Sequence, residues 1–70
     1  MAKQHVAKVI ELVGSSEKGW SEAADVAVKQ ASKSIKNITG IQVGAMTAQV
    51  DDGAIVTYKT TVKVAFGVED

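Results

Sequence analysis

Few side chains in this sequence could perform catalysis. His5 is the only histidine, and the chain contains no cysteine. A Ser-His or Cys-His nucleophile would therefore depend on one residue at the start of a predicted strand. Although a histidine can titrate near neutral pH, we expect His5 to have no chemical role. The sequence predicts a protein that is not an enzyme.

Two short clusters could instead hold ions. Residues 14–16, Gly-Ser-Ser, precede a predicted helix, and a helix N-terminus can bind an anion. The further glycines and the lysine of a phosphate-binding loop are absent, which favours a plain turn. Asp51 and Asp52 could attract a cation, but two adjacent carboxylates in a predicted hairpin are typical of solvated turn residues.

Two other residues could contact a ligand. Trp20 could present its indole to a planar molecule, but it lies on the apolar stripe of the predicted helix, which favours a core position. Lys59 interrupts a predicted strand on the face away from the helix, between Thr57 and Thr61. The alternative for Lys59 is an ordinary solvated strand face.

The sequence predicts one helix, over residues 16–37. Ser16 is the expected N-cap, because its hydroxyl can accept a free backbone N–H, and Asn37 is the expected C-terminal cap. The apolar residues recur at the spacing of one buried helical stripe. They are Trp20, Ala24, Ala27, Ala31 and Ile35, with Ala23 and Val28 at the edges. The small alanines would let the helix lie close against a sheet.

Three strands are predicted, over residues 6–13, 41–50 and 54–68. The first is apolar on both faces, so we expect another subunit to cover one of them. The second and third are joined by a hairpin turn in which Gly53 takes a positive φ. The third strand alternates with a period of two. This places Val62, Val64 and Phe66 against the helix and Lys59, Thr61 and Lys63 away from it.

The predicted fold is α+β with the order β-α-β-β, a three-stranded antiparallel sheet folded over one helix. The 70 residues form a single domain, residues 1–70. A core this small supplies only about 3–5 kcal/mol, and without cysteine no disulfide can add to it. We therefore expect the chain to oligomerise. The third strand would span roughly 50 Å, enough to reach a neighbouring subunit.

The charge balance argues against two classes of partner. Eight basic and eight acidic residues give a net charge of zero, which does not favour charge-driven binding to nucleic acid or a membrane surface. Residues 1–5 lack the apolar run of a signal peptide, and no stretch of the sequence could span a bilayer. We expect a soluble, cytoplasmic protein.

Several segments together resemble the dodecin family. Residues 9–16 (VIELVGSS) resemble its first strand and turn, and residues 23–33 resemble its helix. Asp52-Gly53, Tyr58, residues 62–66 (VKVAF) and the terminal Glu69-Asp70 resemble its last hairpin and strand. The resemblance covers nearly the whole chain, with the same length and element order.

The resemblance implies a β-α-β-β protomer in a hollow shell of twelve copies, a homododecamer. Flavin-binding dodecins hold pairs of flavins between subunits and are regarded as storage proteins rather than enzymes. The resemblance therefore implies a protein that binds and stores a small molecule, with riboflavin or FMN as the leading ligand. Its partners would be other copies of itself and this ligand.

Two ligand-contacting positions depart from the family pattern. The tryptophan that stacks on the flavin just before the second strand is Gly40 here, and the glutamine after the tyrosine of the last strand is Lys59. Thr39 and Gln42 are the expected neighbours of a ligand. Stacking on a planar ring is worth about 1–3 kcal/mol. Its loss should weaken flavin binding by about one to two decades or abolish it.

The alternative is a dodecin-like shell without flavin. Such a shell would bind another anionic ligand, attracted by Lys59, or a metal ion such as calcium, or would be purely structural and hold no cofactor. Some family members without the tryptophan are associated with calcium. Four acidic residues could supply oxygen ligands: Glu11, Glu17, Asp51 and Asp52.

Overall fold

The computed structural model describes residues 6–68. Its elements are β1 (Val6–Ser16), α1 (Trp20–Ser32), β2 (Ile38–Asp51) and β3 (Ala54–Val68). β3 is the central strand and pairs antiparallel with β1 on one side and β2 on the other. The predicted β-α-β-β order and antiparallel sheet are confirmed. Within residues 6–68 no helix is long and apolar enough to cross a lipid bilayer.

α1 is shorter than predicted at both ends. The prediction of Ser16 as N-cap is wrong, because β1 continues to Ser16, which pairs with Tyr58 of β3. The Ser16 hydroxyl instead accepts the backbone N–H of Lys18 at 2.9 Å. The N-cap is Gly19, without a side-chain capping bond. Asn37 does not cap α1 either, because it lies beyond the end of the helix with a φ of 66° and leads the chain into β2.

α1 lies close against β1 at the point where small residues of the two elements meet. Its buried face is formed by Ala23, Ala27 and Ala31, so the predicted stripe is displaced from Ala24 to Ala23 in the first turns. Gly14 of β1 lies beneath this face. A Cβ atom at Gly14 would collide with the carbonyl oxygen of Ala23 and come within 3.2 Å of the Ala27 Cβ atom. Only glycine therefore permits this approach.

The core lies between α1 and the centre of β3. Val62 and Val64 are fully buried, as predicted, and form the core with Ala27. The residues that pack against this core are Ile10, Leu12, Ala24 and Ile38. Phe66, which we expected beside the two valines, is only half-buried. The core is therefore small, as the composition predicts.

The turn between β2 and β3 has the predicted conformation. Asp52 and Gly53 have φ values of 52° and 78°, which are typical of a two-residue hairpin turn of type I′. Asp-Gly is a favoured pair for this turn, because Gly53 has no Cβ atom to oppose a left-handed backbone.

The ladder between β2 and β3 is irregular. Its register shifts between Ile38 and Gly40, between Val43 and Met46, and between Gln49 and Val50. The first two shifts add a residue to β2 and change which of its residues face α1, whereas the third adds Val56 to β3. Val43 and Met46, for example, lie opposite Val62 and Thr60 of the buried face, although they are three positions apart. This explains why β2 shows no regular period-two pattern.

α1 covers β1 and β3 but leaves the helix-side face of β2 open. The register with β3 places a row of apolar residues on this open face, which we call the apolar strip. It consists of Ile41, Val43, Met46, Val50 and Ile55, which are 42% to 61% exposed. On the opposite face of the sheet, Val9 and Val13 of β1 are also exposed. Two apolar surfaces of the protomer therefore have no cover within residues 6–68.

Gly14→Ala should destabilise the fold by about 2–3 kcal/mol, because the added methyl group must push α1 away from β1. Thermal unfolding followed by circular dichroism measures this loss. Gly67→Ala is the matched control, since the nearest atom to a Cβ atom there is the Asn37 Cβ atom at 4.0 Å. Equal melting temperatures for the two variants would show that the close approach at Gly14 is not needed.

Candidate functional site

The outer face of the sheet, the face away from α1, carries the residues that the sequence singled out. Lys59, Thr61 and Lys63 alternate along β3 with residues that are buried under α1. Because successive side chains of a strand point to opposite faces, the three lie on the outer face. The predicted orientation of β3 is therefore confirmed.

Gly40 and Lys59 share the outer face but do not meet within one protomer. Gly40 pairs with Ala65 of β3, whereas Lys59 lies opposite Thr47 of β2 and Ser15 of β1. Six residues of β3 separate the two positions, which is about 20 Å at 3.3 Å per residue. A small ligand that contacts both positions must therefore lie between two copies of the chain.

The predicted ligand neighbours lie at the Gly40 end of this face. Thr39 is the extra residue of the first bulge, and its hydroxyl donates to the carbonyl of Ala65 at 3.5 Å. Gln42 is exposed and pairs with Lys63. The structure brings both close to Gly40 along β2, and neither is near Lys59.

The surface at Gly40 is open. An ideal Cβ atom there has no heavy atom within 4 Å, and the backbone does not take the left-handed conformation. A side chain can therefore start at this position without a clash at its Cβ atom. The absence of a side chain leaves a flat, unobstructed area on the sheet.

The two outer-face lysines of β3 have different surroundings. Lys63 lies opposite the carboxylate residue Glu11 of β1. Lys59 lies opposite the hydroxyl residues Ser15 and Thr47. Within the described part of the chain no carboxylate residue is paired with Lys59 in the ladder. Its ammonium group therefore offers a positive charge next to hydroxyl donors, which suits an anionic group.

Trp20 belongs to the other face of the sheet. It is half-buried, its Nε1–H donates to the carbonyl of Thr47 at 2.8 Å, and its ring meets the Tyr58 ring edge-on with centroids 4.8 Å apart. The preference for a structural role over a ligand platform agrees with these contacts. Sequence reasoning missed the indole hydrogen bond, since a bond to a carbonyl 27 residues away leaves no local pattern.

The ion-binding clusters of the sequence are not assembled within one protomer. Residues 14–16 form the end of β1, so the predicted turn is wrong there. Glu11 lies opposite Lys63 and Asp51 opposite Ala54, about 30 Å apart along β3. Among residues 6–68 no group of three Asp, Glu, His or Cys residues could hold a metal ion. His5 lies outside the described residues.

Residues 6–68 define a class of protein: a small α+β domain in which one helix packs on a three-stranded antiparallel sheet. The sequence model of the family described as Dodecin matches residues 6–69. The chain belongs to the dodecin family.

Individual relatives agree with this assignment. The chain is 34% identical to the calcium dodecin of Mycobacterium tuberculosis over 61 residues, which cover 87% of this chain and 86% of that protein. It superposes on the structure of dodecin from Streptomyces coelicolor with a TM-score of 0.93 and 28% identity, covering 99% of both chains. A structure described as the M. tuberculosis calcium dodecin with a calcium-binding site has a TM-score of 0.79 and 35% identity, covering 91% of both chains.

Proposed function

We propose that this dodecin is a cytoplasmic, self-assembling protein that binds and stores a small planar ligand between its copies, without catalysing a reaction. Flavin, as riboflavin or FMN, is the leading ligand, and a homododecamer is the proposed assembly. The observation that carries this proposal is the placement of Gly40 and Lys59 on one open face, about 20 Å apart in a protomer. Membership of the dodecin family supports it.

The exposed surface of the chain supports self-assembly. The chain exposes 5352 Å², whereas a monomeric protein of its mass is expected to expose about 4,200 Å². The excess is larger than the roughly 800 Å² that one partner contributes to a standard interface. The Cα radius of gyration of 14.8 Å also exceeds the value of about 11 Å expected for a compact domain of this length. Both quantities are typical of a subunit.

The ligand affinity should be modest because the stacking group is missing. Gly40 provides a flat area but no aromatic ring, so the contribution of about 1–3 kcal/mol per stacked ring is absent. The outer face still offers backbone and hydroxyl donors. We therefore propose that flavin binds this protein more weakly than it binds dodecins with a tryptophan at this position.

Gly40→Trp should tighten riboflavin binding by about 10- to 100-fold, because the indole restores stacking. Lys59→Gln should tighten it further, because an amide can both donate to and accept from the polar edge of the flavin. Equilibrium dialysis measures binding without relying on fluorescence quenching. Gly40→Leu is the control, since it fills the same space without an aromatic ring. If neither Gly40→Trp nor Lys59→Gln strengthens binding, the proposed geometry of the site is wrong.

An anionic ligand other than flavin is the second candidate, favoured by the surroundings of Lys59. A phosphate or carboxylate group could accept from its ammonium and from the hydroxyls of Ser15 and Thr47. An exposed ion pair is worth about 0.2–1 kcal/mol, so FMN should be preferred over riboflavin by about 1.4- to five-fold at low salt.

Lys59→Gln should abolish this preference for FMN over riboflavin, because it removes the charge that attracts the phosphate. Parallel dialysis of the two ligands at low salt measures the ratio of their dissociation constants. Lys63→Gln is a matched control, since Lys63 shares the strand and face but lies opposite Glu11. A ratio that depends on Lys63 and not on Lys59 would contradict the assignment.

Calcium is the remaining candidate, favoured by the name of the M. tuberculosis relative. Because the acidic residues are spread along the protomer, a calcium site would need carboxylates from more than one copy. If calcium binds, millimolar calcium should raise the melting temperature by several degrees, since a ligand at 100 times its Kd stabilises by about 2.7 kcal/mol. Magnesium at the same concentration is the control. An unchanged melting temperature would rule out calcium as a structural ligand.

A further inference from the structure

We infer that Trp20 fixes the direction of the hairpin arm, residues 49–57, and is thereby a positioning residue for the interface with a second copy of the chain. The hairpin arm is the part of β2 and β3 that extends past the start of α1. This inference rests on the self-assembly proposed above, and it assigns a role to a residue outside the candidate ligand site.

The indole of Trp20 holds both strands at the base of the hairpin arm. Its Nε1–H donates to the carbonyl of Thr47 on β2 at 2.8 Å. Its ring contacts the Tyr58 ring on β3, with centroids 4.8 Å apart and planes at 80°. Thr47 and Tyr58 are within one step of each other in the ladder, since Tyr58 pairs with Ala48. One side chain therefore bridges α1, β2 and β3 where the arm begins.

The start of α1 has a second, separate attachment to β3. The fully buried Thr60 donates its hydroxyl to the backbone carbonyl of Trp20 at 2.9 Å. This bond holds the helix to β3 but does not touch β2. Among residues 6–68 the indole bond is the side-chain hydrogen bond that joins α1 to β2. Losing the indole N–H therefore removes this hydrogen bond between α1 and β2, while the bond from Thr60 still holds α1 to β3.

β2 needs such an attachment because its ladder is bulged on both sides of this point. The register shifts between Val43 and Met46 and again between Gln49 and Val50. Bulges bend the strand and increase its local twist, so a regular ladder does not set the direction of the arm. The bridge through Trp20 lies between these two irregularities and fixes the segment that connects them.

The hairpin arm presents apolar surface that a second copy can cover. Val50, Ile55 and Val56 are 61%, 47% and 40% exposed, and within the described residues nothing packs over them. The excess surface of the chain, about 1,200 Å², is more than the roughly 800 Å² that one copy contributes to a standard interface. The zero net charge of the chain means that copies do not repel one another. A second copy is therefore the proposed occupant, and the direction of the arm decides whether it fits.

Trp20→Phe tests this inference, because phenylalanine keeps an aromatic ring against Tyr58 and removes only the N–H donor and the second ring. We expect the protein concentration at which the assembly half-dissociates to rise at least ten-fold. Native mass spectrometry and sedimentation velocity over a dilution series measure this concentration. Far-UV circular dichroism checks that the protomer keeps its fold.

Thr60→Val is the matched control. It removes the other hydrogen bond at the start of α1, within the buried face, and leaves the indole in place. We expect it to lower the melting temperature at least as much as Trp20→Phe but to change the half-dissociation concentration less than three-fold. Tyr58→Leu is a second test variant: it removes the ring contact, keeps the N–H bond and should give an intermediate loss of assembly.

The outcomes separate the inference from the proposal on which it rests. If the wild-type protein and Trp20→Phe assemble equally well, the proposed role of Trp20 is wrong, and self-assembly is still supported. If Trp20→Phe and Thr60→Val weaken assembly only in proportion to the fall in their melting temperatures, Trp20 has a merely structural role. That result also overturns the inference. A wild-type protein that is monomeric throughout the series overturns both.

Discussion

The structure depends on a mismatch in size between one short helix and a long sheet. α1 has 13 residues, or about 20 Å at 1.5 Å per residue, whereas the 15 residues of β3 span about 50 Å. The helix approaches closely where Gly14 meets Ala23, and there it buries Val62 and Val64 completely. Elsewhere the sheet has no cover within the described residues, so the protomer cannot bury its own apolar surface.

In the assembly proposed above, this mismatch would place function at the surfaces between copies. The outer face carries an open glycine and, at a separate point, a lysine with no carboxylate residue opposite it in the ladder of residues 6–68. The apolar strip runs along the other face of β2. A shell that is required for stability can persist while the residues of its ligand site change, because function belongs to the site rather than to the fold. Gly40 and Lys59 are therefore compatible with membership of the dodecin family and with a ligand preference of the chain's own.

The sequence predicts some parts of this structure better than others, for physical reasons. β3 is regular and covered on one face, so its alternation correctly placed Val62, Val64 and the two lysines. β2 carries two bulges, which break the alternation and hide its orientation. The helix start was misplaced because Ser16 is a good capping residue in isolation, but pairing with β3 keeps it in the strand. The hydrogen bond from Trp20 to Thr47 joins residues 27 positions apart, so no local sequence pattern predicts it.

The central claim is that the protomer is incomplete without other copies. The most direct test of this claim is the mass of the native particle in solution. Native mass spectrometry of the wild-type protein at micromolar concentration should show a closed oligomer, at about 88 kDa for twelve copies of 7.3 kDa, with little free chain. A folded species at 7.3 kDa that persists as the concentration rises would contradict the account, because the exposed apolar surface would then be stable in water.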